Sequence, residues 1–577
     1  MKKSEFTLEH ALYALALVVG LGLRFLHLAA LPLSDNEAGW ALQALQVTRG
    51  LHPAIGANAA YVHLTALLFF IFGGTDFLAR VWPALAGSAL VLAPWFLRGR
   101  LGRIPALLLA FGLAIDPGLA ALSRLAGGPM LAVVAVVFAI VMWLDGRRAL
   151  AGLFGGLALL SGPSAWFGLL GLVLTWAFSA GIWRKAPVSV EPEADGLEPT
   201  SKPVGIRTEG LKAALAWGLG TLLLVGSLLL LSPKGLSSLF TAFLEFVRGW
   251  WQSSGIPFWQ PLLALPAYEL LPLGFGIAAA VRGILKKDAF SIQLSLWALV
   301  ALVLVVICPG RQTGSLAWAL LPLWTLAVME LGKHFDFEGR NLWELAATAT
   351  LVLALVVFGC LNLATLTTLD PTTQPAHLRM LMLLAVVLLI IISLLLVATG
   401  WSEPVARLGG VWSGVLVLTA FTVAVSTGAT GLRQPLTAEL WLPGTRSENA
   451  ALISKVADEI SVLNTGASAQ LPLTIAGVDS PALRWLFRNW QVQEVVALSP
   501  DSTPKLVITP DSVKLNLTVE YRGEGLDLRD APDWMKLTSA DWLKWFVYRQ
   551  APKTNEKIIL WVRSDLMLDN QATPATP

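Results

Sequence analysis

The chain has 577 residues, 55% of them hydrophobic and 14% charged, with a mean hydropathy of +0.67 and a formal net charge of +3. Soluble globular proteins carry roughly 25% charged residues, so a large soluble globule is excluded. The absence of alternating ~10-residue apolar segments also excludes a transmembrane β-barrel. Residues 436–577 hold 14 basic and 17 acidic side chains against 27 and 21 in the rest, and no block resembles a nucleic-acid-binding arm.

Apolar runs of about 18 to 23 residues, enough to cross a ~30 Å hydrocarbon core, recur along the chain. The first covers about Leu8 to Ala30 behind Lys2 and Lys3. It lacks a small-residue cleavage site and reads as a retained span that starts in the cytoplasm. The stretch AAYVHLTALLFFIFGG at 59–74 is assigned to the interface, because a crossing there would put Arg98, Arg100 and Arg103 outside, against the positive-inside rule. Spans follow near 77–97, 104–122, 128–144, 149–161 and 164–182, and Gly152 with Gly156 gives a weak GxxxG packing signal. The Pro- and charge-rich segment 183–210 reads as a disordered cytoplasmic loop. A span at 211–231 leads to the amphipathic, Trp-bearing stretch 232–261, which, like 31–76, reads as an outer interfacial element. Runs at 262–281, 289–307, 315–332, 342–363, 378–399 and 409–428 complete thirteen spans, with the N-terminus in and the C-terminus out.

After Thr430 the composition becomes that of a soluble domain. A helical pattern from Glu448 to Leu463 precedes the strand-like LPLTIAG, the amphipathic SPALRWLFRNW, then VQEVVAL, KLVIT and KIILWVR, while the tail DNQATPATP reads as frayed. The expected architecture is an all-α polytopic membrane domain over 1–430 with about thirteen transmembrane helices, followed by an extracytoplasmic α/β domain over 431–577. Cys308 and Cys360 lie in apolar runs without a CxxC, which supports neither a disulfide framework nor a zinc site. No G-x-G-x-x-G follows a strand and there is no P-loop, so no nucleotide, other cofactor or nucleic-acid partner is expected.

Charged groups beside spans are costly, ~2.5–3.5 kcal/mol at the bilayer centre, and so mark where chemistry could sit. The outer side offers Arg24, His27, Asp35, Glu37, His52, His63, Asp76, Arg80, Asp116, Arg124, Glu245, Arg248, Glu269 and Arg311. Asp35 and Glu37 are the candidate catalytic carboxylates, since a carboxylate can act as general base on an acceptor hydroxyl. Arg124, Arg248 and Arg311 are candidates for holding a phosphate through their guanidinium forks. His63, Trp250, Trp251 and Glu269 are candidate substrate-lining residues, with Trp259 on the same outer loop as the two tryptophans. The competing readings are that Asp35 and Glu37 are simply acids at a helix start and that Arg24 and Arg80 snorkel from span ends. His52 and His63 have no companions at ligand spacing, so no metal is expected.

The order of a first span, LSDNEAGWALQAL, an interfacial helix, FLARVWPALAGSALVLAPWFLRGRLG and ALSRLAGG resembles the GT-C membrane glycosyltransferases, a group that includes protein O-mannosyltransferases and the lipid A aminoarabinose transferase. Within it, YVHLTALLFFIFGGTDFLARVWPALAG and ALPAYELLPLGFG are most similar to the flippase activity-associated proteins. The resemblance covers 15–145 well, 240–332 moderately and the soluble domain weakly. It implies transfer of a sugar from a polyprenyl-phosphate carrier to an acceptor on the outer face of the cell membrane, with Arg124, Arg248 and Arg311 on the carrier phosphate. Four outer motifs depart from the family. Asn36-Glu37-Ala38 stands where an adjacent Asp-Glu pair is usual, and Pro129 replaces an acid after Ser123-Arg124. Ala57-Asn58-Ala59 replaces His-Gly-Pro, and Gly310-Arg311-Gln312 lacks the acid-plus-lysine pattern. Asp35 could replace the missing aspartate only by re-registering, a helical rotation of about 100°. Two functions therefore compete: an active transferase, or an inactive relative serving as a structural subunit or lipid-carrier binder among membrane-protein partners. A transporter is the third, disfavoured because no charge lies at the centre of a span.

Overall fold

The structure, a computed structural model, describes residues 7–183, 208–335, 342–370, 372–433, 438–442, 449–515 and 517–567. The proposed disordered loop and frayed tail thus lie almost wholly outside the described residues.

The chain is a polytopic helical membrane protein with a C-terminal α/β domain. Its first helices are α1 (Leu8–Phe25), α2 (Asp35–Thr48), α3 (Ala59–Phe72), α4 (Asp76–Leu90), α5 (Ala93–Leu101), α6 (Arg103–Ile115) and α7 (Pro117–Leu122). Next come α8 (Met130–Leu144), α9 (Arg148–Leu159), α10 (Pro163–Trp183), α11 (Thr208–Gly226), α12 (Ser238–Arg248), α13 (Trp259–Tyr268) and α14 (Leu270–Lys286). Five longer helices follow: α15 (Ala289–Ile307), α16 (Ala317–Leu331), α17 (Leu342–Leu366), α18 (Gln374–Gly400) and α19 (Glu403–Ala429). Among the described residues nine stretches are long and apolar enough to cross a membrane, and α13 with α14 makes a tenth, bent by 95° at Glu269. The shorter apolar helices α6, α8 and α9 fall on three further runs read from the sequence.

Local chemistry sets the helix starts. Ser34 and Glu37 form a reciprocal capping box on α2, Asn58 accepts from the Tyr61 N–H on α3, and Thr75 accepts from Leu78 on α4. The GxxxG signal marks a close crossing, since a Cβ on Gly152 would lie 1.9 Å from the Ala214 carbonyl oxygen of α11.

Beyond α19 lie α20 (Ala450–Thr465), β1 (Leu473–Ala476), α21 (Pro481–Leu486), β2 (Val492–Val495), β3 (Leu506–Pro510), β4 (Tyr521–Pro532), α22 (Ser539–Tyr548) and β5 (Lys553–Arg563). The sheet runs β2-β1-β3-β5-β4, with β1 parallel to β2 and β3, and β5 antiparallel to β3 and β4. Ile453, Leu473, Ile475, Leu506, Ile508 and Leu560 fill its core against α20.

This domain sits against α2 and the start of α4. Asp76 accepts from Trp485 Nε1 at 2.6 Å, and Arg488 Nε donates to the Gly74 carbonyl at 3.1 Å. From Asp76 the chain runs away from the sheet domain to Arg98 and Arg100. Arg100 donates to the Leu144 carbonyl, and Gly332 approaches Pro105, so the ends of α5, α8 and α16 share the far side.

Candidate functional site

Three consecutive residues of α2 point three ways, as a 100° step per residue requires. Asp35 turns to the sheet domain: its Oδ1 accepts from Ser480 Oγ at 2.7 Å and the Ala482 N–H at 3.0 Å, and its Oδ2 accepts from Arg529 Nε at 2.8 Å. Arg529 also reaches Glu556, at 2.8 Å. Burial lowers the Arg529 proton affinity, but the two carboxylates outweigh it and hold the guanidinium above its ordinary value.

Glu37 turns inward and is 2% exposed. Arg80 grips it through Nε at 2.8 Å and Nη2 at 3.0 Å, and the Ala126 and Ser34 N–H groups complete its shell. Arg80 spends its other donors on the Leu28, Leu31 and Pro32 carbonyls. Arg24 is equally enclosed, donating to Gly20, Leu113 and Ala114 carbonyls and to Ser123 Oγ. Neither arginine snorkels: at 0% and 1% exposure both are internal ties.

Asn36 is the exposed member of the three. It lies one turn before Trp40 on the same face, and Trp40 walls a cavity of about 270 Å³. The other walls come from Asn58, the Gly127–Pro129 turn, the start of α10 (Ser161, Ser164, Phe167), α12 (Glu245, Phe246) and the Cys308–Ser315 segment with Gln312. Gly127 has φ +67°, and a Cβ there would lie 2.3 Å from Trp40 Cδ1, so this turn depends on glycine. Asn58 Nδ2 holds the Gly127 carbonyl at 3.2 Å, and Trp318 Nε1 donates to Ser164 Oγ at 3.2 Å. Among the lining residues Glu245 is the only ionisable carboxyl. Partial desolvation pushes it above the usual carboxylate range, against the opposing pull of Arg248 one turn away. Amide, hydroxyl and aromatic groups around one carboxyl suit a polyhydroxylated ligand.

The other residues singled out from sequence are dispersed. Arg124 donates through Nη1 to the Arg24 and Leu26 carbonyls, at 2.9 and 2.8 Å, and through Nη2 to His27, at 2.9 Å, closing the end of α1. Arg311 donates to the Ile256 and Val306 carbonyls, at 2.9 and 3.1 Å, while its Nε is buried without an acceptor. Arg248 and Arg311 stand one residue from the cavity positions Gly249, Gly310 and Gln312. His63 Nδ1 contacts the Val225 carbonyl at 2.7 Å, against α11 rather than the cavity. Trp250 packs on Phe246, and Trp251 is 76% exposed. Glu269, fully buried at the α13–α14 break, accepts from the Gly118 N–H at 3.2 Å and lies against the Asp116 carboxyl. Sequence reading noticed Glu245, Asn58 and Gln312 without joining them. Ser161, Ser164 and Phe167 carried no signal, because only the folded chain brings the start of α10 to this wall.

No protein-family model and no curated protein matches the sequence. Solved structures do match in three dimensions. ArnT from Cupriavidus metallidurans bound to undecaprenyl phosphate superposes with a TM-score of 0.51 at 14% identity, over 96% of this chain and 98% of that one. Its apo state gives 0.52 at 15% identity over the same shares. At such identity the likeness speaks for architecture alone, and the architecture is that of the GT-C fold.

Proposed function

We propose that the chain is a membrane glycosyltransferase that moves a sugar from a polyprenyl-phosphate carrier to an acceptor on the outer face of the cell membrane, with the Trp40–Glu245–Gln312 cavity as its sugar site. The observation that carries the reading is a polar, aromatic-walled cavity holding a single carboxyl on a GT-C scaffold; the undecaprenyl phosphate bound to ArnT supports the carrier class. Glu245 serves as general base, taking the proton from the acceptor hydroxyl as that oxygen attacks the anomeric carbon. The carrier phosphate leaves as an anion without an acid, and Arg248 and Arg311 flank the cavity to neutralise it. In this reading Asp35, Glu37 and Arg124 are positioning groups: the two carboxylates pair with Arg529 and Arg80, and Arg124 is bonded to the end of α1, away from the cavity walls.

Incubating the purified full chain with a panel of polyprenyl-phosphate sugars tests this. Glu245→Gln is expected to lower sugar release by ~10²–10⁴, the usual contribution of a general base; release unchanged in that variant would overturn the assignment. Asn36, an amide one helical turn before the cavity residue Trp40, favours a second reading, a relative that binds the carrier without transferring. No release from any donor, with carrier binding retained, would select it.

A further inference from the structure

A second large groove lies on the far side of the bundle from the sheet domain and shares no lining residue with the polar cavity. It measures about 500 Å³ and is walled by α4, α5, α6, α8, α10, α15 and α16, with Leu97, Val137, Leu172, Trp176, Leu294 and Leu321 among its surfaces. Its two threonines make no polar demand on an occupant, because Thr175 Oγ1 donates to the Gly171 carbonyl at 2.7 Å and Thr325 Oγ1 to Leu321 at 2.8 Å. Polarity is confined to one end, where Arg100 and Gln293 stand exposed at the termini of α5 and α15.

That end is strongly basic. Arg98, Arg103, Arg147 and Arg148 come from the adjoining helix ends, and Lys286 and Lys287 immediately precede α15. The acids beside them are already engaged: Asp145 pairs with Arg147 at 2.8 Å, and Asp288 accepts from the Ser291 N–H and hydroxyl. Among the described residues, Arg100 gives one hydrogen bond, from Nη2 to the Leu144 carbonyl at 3.3 Å.

An occupant must therefore be apolar along its length and anionic at one end. We propose that the groove holds an acyl chain of an anionic phospholipid from the leaflet remote from the sheet domain, with the lipid phosphate against Arg100. The site is independent of sugar transfer.

Native mass spectrometry of the full chain in detergent, supplied with phosphatidylglycerol or phosphatidylcholine of identical chains, tests it. Retention of phosphatidylglycerol is expected to exceed that of phosphatidylcholine about fivefold, the scale of one cationic contact at a membrane surface. Arg100→Gln, on an exposed position, should bring the two to parity, and Val137→Trp should fill the groove and remove both adducts. Equal retention by the wild-type chain would overturn the proposal, as would a preference surviving Arg100→Gln, or displacement of phosphatidylglycerol by added undecaprenyl phosphate.

Discussion

Consecutive residues of α2 make a domain tie, an exposed amide and a buried ion pair at Asp35, Asn36 and Glu37. Sequence pattern picked out this loop, but composition cannot say which way each side chain turns; that depends on Arg80 and Arg529, 43 and 494 residues away. Glu37 was legible as a capping acid, whereas its pairing with Arg80 was not. Breaking a buried pair leaves an uncompensated charge, so Glu37→Gln should cost about 3 kcal/mol, read as a lowered melting temperature in detergent. Glu37→Gln with Arg80→Met should recover most of that loss; a Glu37→Gln protein as stable as wild type would refute the internal tie. Asn36 makes the opposite prediction. An aspartate at the second position of a helix is favourable, so Asn36→Asp should fold normally and place a carboxylate one helical turn from the cavity residue Trp40. Sugar release should then rise, and the pH profile should change with it. A base works when deprotonated, so wild-type turnover resting on Glu245 falls as pH drops through its raised pKa. The new aspartate, on an exposed position, should extend activity to lower pH. Identical profiles for the two proteins would show that residue 36 has no access to the reaction.

At the scale of elements, long apolar runs pointed to the membrane helices because each span must hide its backbone from lipid. The runs at 104–122, 128–144 and 149–161 became the short helices α6–α7, α8 and α9. In the sheet, β1, β2, β3 and β5 follow the apolar strand patterns, while β4 escaped notice: YRGEGLDLRDAP is an edge strand with only Leu526 and Leu528 buried, so its burial signal is thin. The cavity was still less visible, because its walls are brought together from six places in the chain. Gly127 is its most exacting element. A methyl group there would meet the Trp40 indole at a positive φ, so Gly127→Ala should force Trp40 out of place. The expected result is loss of sugar release together with a stability cost of ~1–3 kcal/mol. The same change at Gly146, where φ is +82° but no atom lies within 4 Å, should cost stability without touching release. Full release from Gly127→Ala would mean the turn does not shape the site.

On the scale of the whole molecule, the distribution of charge relative to the sheet domain predicts an orientation. The Asp76–Trp485 and Asp35–Arg529 contacts fix that domain to one end of the bundle. Arg98, Arg100, Arg103, Arg147, Arg148, Arg282, Lys286, Lys287 and Lys333 gather at the other, where Arg282 and Lys333 meet Glu330 at 2.6 and 3.0 Å. Short loops rich in Lys and Arg are usually held in the cytoplasm, so the prediction is that the sheet domain, α2 and the polar cavity face outward, where a lipid-borne sugar and its acceptor would meet them. Single-cysteine labelling in intact cells checks this. With Cys308 and Cys360 replaced, Ser499→Cys on the exposed edge of the sheet domain should react with a membrane-impermeant maleimide, and Lys287→Cys should react only after the membrane is opened. The reverse pattern would put the cavity on the cytoplasmic side and remove the outer-face acceptor from the proposed reaction, since a basic rim facing outward would leave the Trp40–Glu245 wall looking into the cell.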